Sequence, residues 1–332
     1  MVKKKNIVTI GGGTGTSVTL TGLKKYPINL SAIVSMMDSG GSTGRLIRDL
    51  DVHPMGDIRQ ALLALSRSNK ENRDFFDFRF ESGNLKGHNA GNLFLAGFEK
   101  QLGSFESAIE KASEYLGVEG RVIPVTLTRT ELVAHLKGGR KLFKEHSFDD
   151  LEKQKNVFVK LSLSKPVKAN PNAIKAIRAA DAIVICPGNP LRSVLPNFLV
   201  SGIRQAIKKS KAPVIFCSGI MNKKGQTNKM DLAEGIEMFE EYIGKELIDY
   251  VIYNSGTINK QVLKKNQLTD ELLMPINKEK LDEADYKAIG VSLLAKDTYK
   301  QNKSDVLIKR TRIRHDPQKL ATIIMRIVQK GL

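Results

Sequence analysis

The chain has 332 residues, 53 Lys+Arg against 35 Asp+Glu for a formal net charge of +18, and 41% hydrophobic residues. These are globular values, with enough apolar side chain for a sizeable core, and they exclude wholesale disorder. No apolar run nears the roughly 18 residues of a membrane helix, and the run at 7–10 is too short for a signal-peptide core. Cys186 and Cys217 form no CxxC spacing and cannot build a disulfide framework, so the chain reads as cytosolic.

In chain order, residues 6–10 read as a buried strand, 11–15 as a glycine turn and 16–25 as a helix. A second strand covers 30–36 and leads into a polar, glycine-rich loop at 38–45. Helical periodicity marks 57–66 and again 89–116, with a break at 102–104. Residues 121–127, 131–137 and 157–163 look extended, so 120–165 reads as a small β-rich insertion. Alternation then resumes: helix 172–180, strand 182–186, helix 190–209, strand 213–217, helix 231–243, strand 249–253 and a closing helix at 317–329. Short continuous apolar strands alternating with amphipathic helices predict an α/β, Rossmann-like fold. Its mainly parallel sheet would be covered on both faces, in one domain over 1–332.

Ligands of such sheets bind beyond the carboxyl ends of the strands, and there the unusual residues gather. After the first strand come Gly11, Gly12, Gly13, Thr14, Gly15 and Thr16. Glycines let the backbone approach a ligand, and the following helix start offers N–H groups to a phosphate. The nicotinamide fingerprint fails at Thr16, and no GK[ST] follows, so the turn favours phosphate without saying which. After the second strand stand Asp38, Ser39, Gly40, Gly41, Ser42, Thr43 and Arg45. Asp38 suits a ribose or Mg²⁺, and Arg45 a bidentate phosphate. Gly56, Asp57 and Arg59 open a helix, where Asp57 as N-cap with a surface Arg59 is the plainer reading. His88, Asn89 and Asn92 fall within one helical turn, His88 as an acid/base group or a structural histidine. Gly188 and Asn189 follow a later strand, Asn254 ends another, and Arg314 precedes the last helix, where Asp316 and Pro317 suit the cap. The two cysteines read as buried packing groups.

GGGTG, DSGGSTGRLIRD, GDIRQALLALS, GHNAGNLFLAG, PGNPLRSVLPNFLVSGIRQAI and the late RHD, in this order, resemble the YvcK family of gluconeogenesis factors. That family lies in the superfamily of CofD, the 2-phospho-L-lactate transferase. The resemblance implies a cytoplasmic regulatory protein that binds a nucleotide sugar of the UDP-N-acetylglucosamine type and is linked to carbon metabolism and cell shape. It implies that Gly12 to Gly15, Asp38 to Arg45, Gly56 to Arg59, His88 to Asn92, Gly188, Asn189, Asn254 and Arg314 surround the nucleotide. The Gly188-Asn189-Pro190 run leans toward the transferase branch. The alternative is therefore a Mg²⁺-dependent transferase of the 2-phospho-L-lactate type with a nucleoside diphosphate donor, in which Asp38 ligates the metal. No nucleophile or base stands out, and no other cofactor is expected. Expected partners are the nucleotide ligand, a regulatory protein and further copies of the chain. Lysines scattered in short clusters, without Trp or an RNP-type motif, argue against nucleic acid, and no membrane partner is expected.

Overall fold

The computed structural model describes residues 3–151, 158–223, 226–227, 230–258, 263, 271–296 and 313–331. Val157, at the head of the third extended stretch read from the sequence, lies outside them.

Seven strands form one parallel sheet: β1 (Asn6–Gly11), β2 (Asn29–Val34), β3 (Arg121–Pro124), β7 (Ala182–Ile185), β8 (Val214–Cys217), β10 (Tyr250–Asn254) and β12 (Lys287–Val291). Their order across the sheet is β12-β10-β8-β7-β1-β2-β3, with Ile7 opposite both Leu30 and Ala182. The chain thus builds outward from β1 in one direction and, after β7, outward in the other. The switch point lies between β1 and β7. Right-handed crossovers in opposite directions put helices on opposite faces. On one face α1 (Gly13–Leu23) packs with α3 (Gly56–Leu65) and the C-terminal α11 (Pro317–Lys330); on the other α7 (Pro171–Arg178) packs with α8 (Ile203–Lys209). β7 and β8 are buried throughout, which is why they read as unbroken apolar runs.

The remaining elements are α2 (Gly41–Leu50), α4 (Lys70–Asp77), α5 (Ala90–Leu102), α6 (Phe105–Tyr115), α9 (Leu232–Ile243) and α10 (Lys278–Asp282). An antiparallel sheet of β4 (Leu132–Leu136), β5 (Lys141–Phe143) and β6 (Phe158–Leu163) stands apart, and β9 (Met221–Lys223) pairs with β11 (Glu271–Leu273).

Four sequence expectations need correction. Arg121–Pro124 is the edge of the main sheet, so the separate sheet starts only at Leu132. The polar loop ends at Gly40, where α2 begins. Residues 190–209 are not one helix: a π-type turn (Pro190–Val194) and a 3₁₀ turn (Leu195–Leu199) precede α8, and Gly202 at φ +103° turns the chain between them. Finally β10 is not the last strand, because β12 pairs outside it. α4, β5 and β12 are short and weakly patterned, and packing on neighbours stabilises them where propensity does not.

His53 pins the connection between α2 and α3. Its Nδ1 faces Glu99 Oε1 at 2.6 Å, its Nε2 faces the Leu127 carbonyl at 2.9 Å, and its ring stacks on Phe105. Burial opposes the imidazolium, yet the Glu99 hydrogen bond and the Leu127 carbonyl outweigh it and raise the His53 pKa. This stabilisation is complete below the unfolded pKa and fades as pH rises through the folded one. His53→Gln should cost on the order of 2 kcal/mol at about pH 5.5 in urea unfolding and progressively less toward about pH 8.5. An equal cost at both pH values would contradict a charged His53.

Candidate functional site

Two connections meet at the switch point. A Cβ on Gly15 would overlap the Pro187 carbonyl oxygen, and one on Gly188 would lie 3.6 Å from the Gly12 carbonyl. Gly12 and Gly13 also face Asp57 and Ser193: a Cβ on Gly12 would overlap Asp57 Oδ2 and sit 3.2 Å from the Ser193 carbonyl. Gly13, at φ +67°, is the residue at which β1 turns into α1. Only glycine takes that conformation without strain.

The second loop closes on the same place. A Cβ on Gly56 would overlap Asp38 Oδ2 and lie 2.8 Å from Thr43 Oγ1. Asp38 Oδ1 accepts from the Gly40 N–H at 3.0 Å. Beneath Thr43, Ser42 Oγ meets His88 Nδ1 at 3.2 Å and accepts from Asn92 Nδ2 at 3.3 Å. Asn92 Oδ1 accepts from Arg59 Nε at 3.1 Å, and Arg59 pairs with Asp77 at 2.5 Å. Gly13, Ser42, Asn89 and Asn189 therefore belong to one connected region at the carboxyl edge of the sheet.

The helix starts differ in how they are capped. α4, α5, α6, α7, α9, α10 and α11 each start with a side chain accepting from a first-turn N–H. α1, α2 and α3 start beside Gly12, Gly40 and Gly56 with no side-chain cap, as does the short α8 after Gly202. Three helix N-termini, each carrying roughly half a positive charge, thus open onto one junction. That arrangement can hold a polyanion through backbone N–H groups.

The sequence-derived residues divide by the work their side chains do. Asn89 caps α5, accepting from the N–H groups of Gly91 and Asn92, and donates to the Asp77 carbonyl. Asn254 ties β10 to the segment after β12, accepting from Leu293 N at 2.9 Å and donating to the Gly256 carbonyl. Thr16 donates to the Gly12 carbonyl within α1. These three side chains serve the scaffold. Arg59 is not a surface residue but 4% exposed, and Asp57 lies in the first turn of α3, whose N-cap is Met55. Burial, then the nearby Arg45, lowers the His88 pKa, so it is neutral near pH 7. Arg45 reaches the Lys86 carbonyl at 2.9 Å, on the outer side of α2. Arg314 lies beyond the end of β12, where its carbonyl accepts from Ala295 N. Burial holds the neighbouring His315 at about 4, and Asp316 caps α11 with Pro317 in its first turn, as read from the sequence. Burial also raises both cysteine thiols, Cys186 to about 12, so neither is a nucleophile at neutral pH.

Sequence reasoning missed Glu145, His146 and Gln226. The small sheet carries Glu145 to Arg192, with which it forms a buried ion pair, and His146 to Ser39 Oγ at 3.1 Å. Gln226 accepts from Asn189 Nδ2 at 2.7 Å through Oε1, while its Nε2 is buried with no partner among the described residues. Asn222 Oδ1 likewise has no partner among the described residues, on the wall of a cavity of about 30 Å³ that Gly188, Pro190 and Met221 also line. No local pattern marks these residues, because each comes from a segment distant in sequence. Lys224 and Gly225, between Lys223 and Gln226, lie outside the described residues.

The family model for 2-phospho-L-lactate transferase CofD matches residues 7–298. The gluconeogenesis factor of Halalkalibacterium halodurans is 36% identical over 98% of this chain and 97% of its own length. That of Bacillus subtilis is 34% identical over 99% of this chain and 100% of its own. The chain belongs to the CofD family, grouped with its gluconeogenesis factors. A crystal structure of a family protein from Bacillus halodurans superposes with a TM-score of 0.89 at 33% identity, covering 97% of this chain and 100% of that one. The Rossmann-like architecture is therefore that of the family. Among the described residues, no helix is long and apolar enough to cross a membrane.

Proposed function

We propose that this gluconeogenesis-factor relative binds a nucleotide sugar of the UDP-N-acetylglucosamine type at the β1/β7 switch point. It would act as a regulatory protein tied to carbon metabolism and cell shape, its partner-binding state populated by ligand. The observation that carries the binding reading is the meeting of three helix N-termini without side-chain caps. Their N–H groups suit a diphosphate, and the buried Gln226 Nε2 beside Asn189 adds a directed donor. Calorimetric titration with UDP-N-acetylglucosamine, UDP and UMP tests it. Removing one phosphate should weaken binding by about tenfold or more, and Gln226→Leu should weaken the diphosphates while leaving the fold intact. Equal binding of UMP and UDP, or no binding of any of them, would reject the reading.

The transferase reading draws support from the family model itself and from Asp38 and Asp57 facing the same junction. Among the described residues no three His, Cys, Asp or Glu side chains group as a metal site. Mg²⁺ therefore fits only with phosphate oxygens and water completing a shell that Asp38 anchors, the usual arrangement for this ion. Bound there, it would neutralise charge on the diphosphate. Mg²⁺-dependent release of nucleoside monophosphate from a nucleoside diphosphate donor would favour this second reading.

A further inference from the structure

The turn that follows β5, Glu145–Asp150, bridges two loops of the candidate site. On one side His146 Nδ1 meets Ser39 Oγ at 3.1 Å, and the His146 N–H donates to the same oxygen at 3.3 Å. On the other side the Glu145 carboxylate accepts from Arg192 Nε, with both side chains more than four-fifths buried. Arg192 belongs to the turn that Asn189 caps, and its neighbour Ser193 lies against the glycine loop, its Oγ 3.5 Å from a Cβ built on Gly13. The second carboxylate oxygen of Glu145 stands 3.8 Å from a Cβ built on Gly40, the N-cap of α2. The protein thus sets an anion of its own at the start of one of the helices that open onto the junction, where the helix dipole favours it.

A diphosphate entering the same junction meets that carboxylate. Asp38, Asp57 and Glu145 bring three negative charges there, and Arg192 one positive charge. Like charges a few ångströms apart in a part-buried site repel strongly. The guanidinium fork, however, suits phosphate as well as carboxylate. Exchanging one for the other costs little, because the attraction within a buried ion pair is largely offset by lost hydration. The backbone favours release too, since the chain enters the turn through Lys144 at φ +72°, a strained conformation for a residue with a Cβ. Beside the same turn, Gln226 Nε2 is buried with no partner among the described residues, and Gln226 Oε1 is tied to Asn189. We infer that Glu145 competes with ligand phosphate for Arg192: a diphosphate displaces the carboxylate, takes Arg192 as its own ligand and frees the turn. Resting on the nucleotide-sugar reading, this gives that reading a means of reporting occupancy. The small sheet of β4, β5 and β6 loses one of its two holds on the site when Glu145 leaves, and its release is the change a partner would sense.

Calorimetric titration of the full chain with UDP and with inorganic pyrophosphate tests this. Glu145→Gln keeps the side-chain volume and removes the competing charge, so both probes should bind about tenfold more tightly than to the parent. Arg192→Met should weaken both by about tenfold or more, and adding Glu145→Gln to it should restore nothing. In the parent, hydrogen–deuterium exchange at 141–147 should rise when pyrophosphate is added, a readout that decides alone if Glu145→Gln fails to fold. Unchanged or weaker binding in Glu145→Gln overturns the inference, as does protection of 141–147 by pyrophosphate, while UDP binding by the parent would leave the nucleotide reading standing. Tighter pyrophosphate binding in Glu145→Gln with no UDP binding would sink the nucleotide reading and keep the competition. No binding of either probe to either protein overturns both.

Discussion

Gly15→Ala is expected to destabilise the protein by about 3 kcal/mol and to abolish nucleotide binding. The added methyl would overlap the Pro187 backbone carbonyl, an atom with no rotamer to relieve the clash. Relief requires α1 to move away from the connection after β7, which separates the two walls of the switch point. Gly97→Ala, on a helix face with open space around it, should be neutral or slightly stabilising, since alanine favours the helix by roughly 0.8 kcal/mol. Urea unfolding of the pair, with calorimetric titration of UDP, checks both halves of the expectation. A Gly15→Ala protein as stable as the parent would show that the two connections are not in contact.

Arg59→Met should cost about 2–4 kcal/mol. Arg59 is 4% exposed, and its guanidinium donates to Asn92 Oδ1 and pairs with Asp77. Methionine preserves much of the packing but leaves the Asn92 carbonyl without its donor, in a position closed to water. Asp77 keeps its hydration, because its side chain is 67% exposed, so the loss is smaller than for a fully buried pair. Arg59→Lys should recover only part of the stability, since one ammonium cannot match the planar fork that spans two acceptors. The damage should pass through Asn92 to Ser42 and show as amide exchange at the start of α2, measurable by hydrogen–deuterium exchange. Full stability in Arg59→Met would place the support of this network elsewhere.

The strands β7 and β8, buried on both faces, were legible as unbroken apolar runs. The helix α9 was legible from its periodicity, and α11 from its periodicity and its Asp316 cap. Both signals are local: burial on two faces writes itself into consecutive residues, and a cap writes itself beside the helix it starts. The order of the glycine and hydroxyl loops carried the family in the same way, as did their place at strand ends. What each loop residue does was not local. Asn254 turns out to hold Leu293 N beyond the next strand, Arg59 is buried against Asn92, and Glu145 reaches Arg192 from the small sheet. Hydrogen-bond partners separated by tens of residues meet only when the chain has crossed the sheet, so no window of sequence contains them. Even the contrast between capped and uncapped helix starts needed coordinates. A glycine before a helix says only that the backbone is free, whereas the junction onto which α1, α2 and α3 all open is made by the sheet reversing direction between β1 and β7.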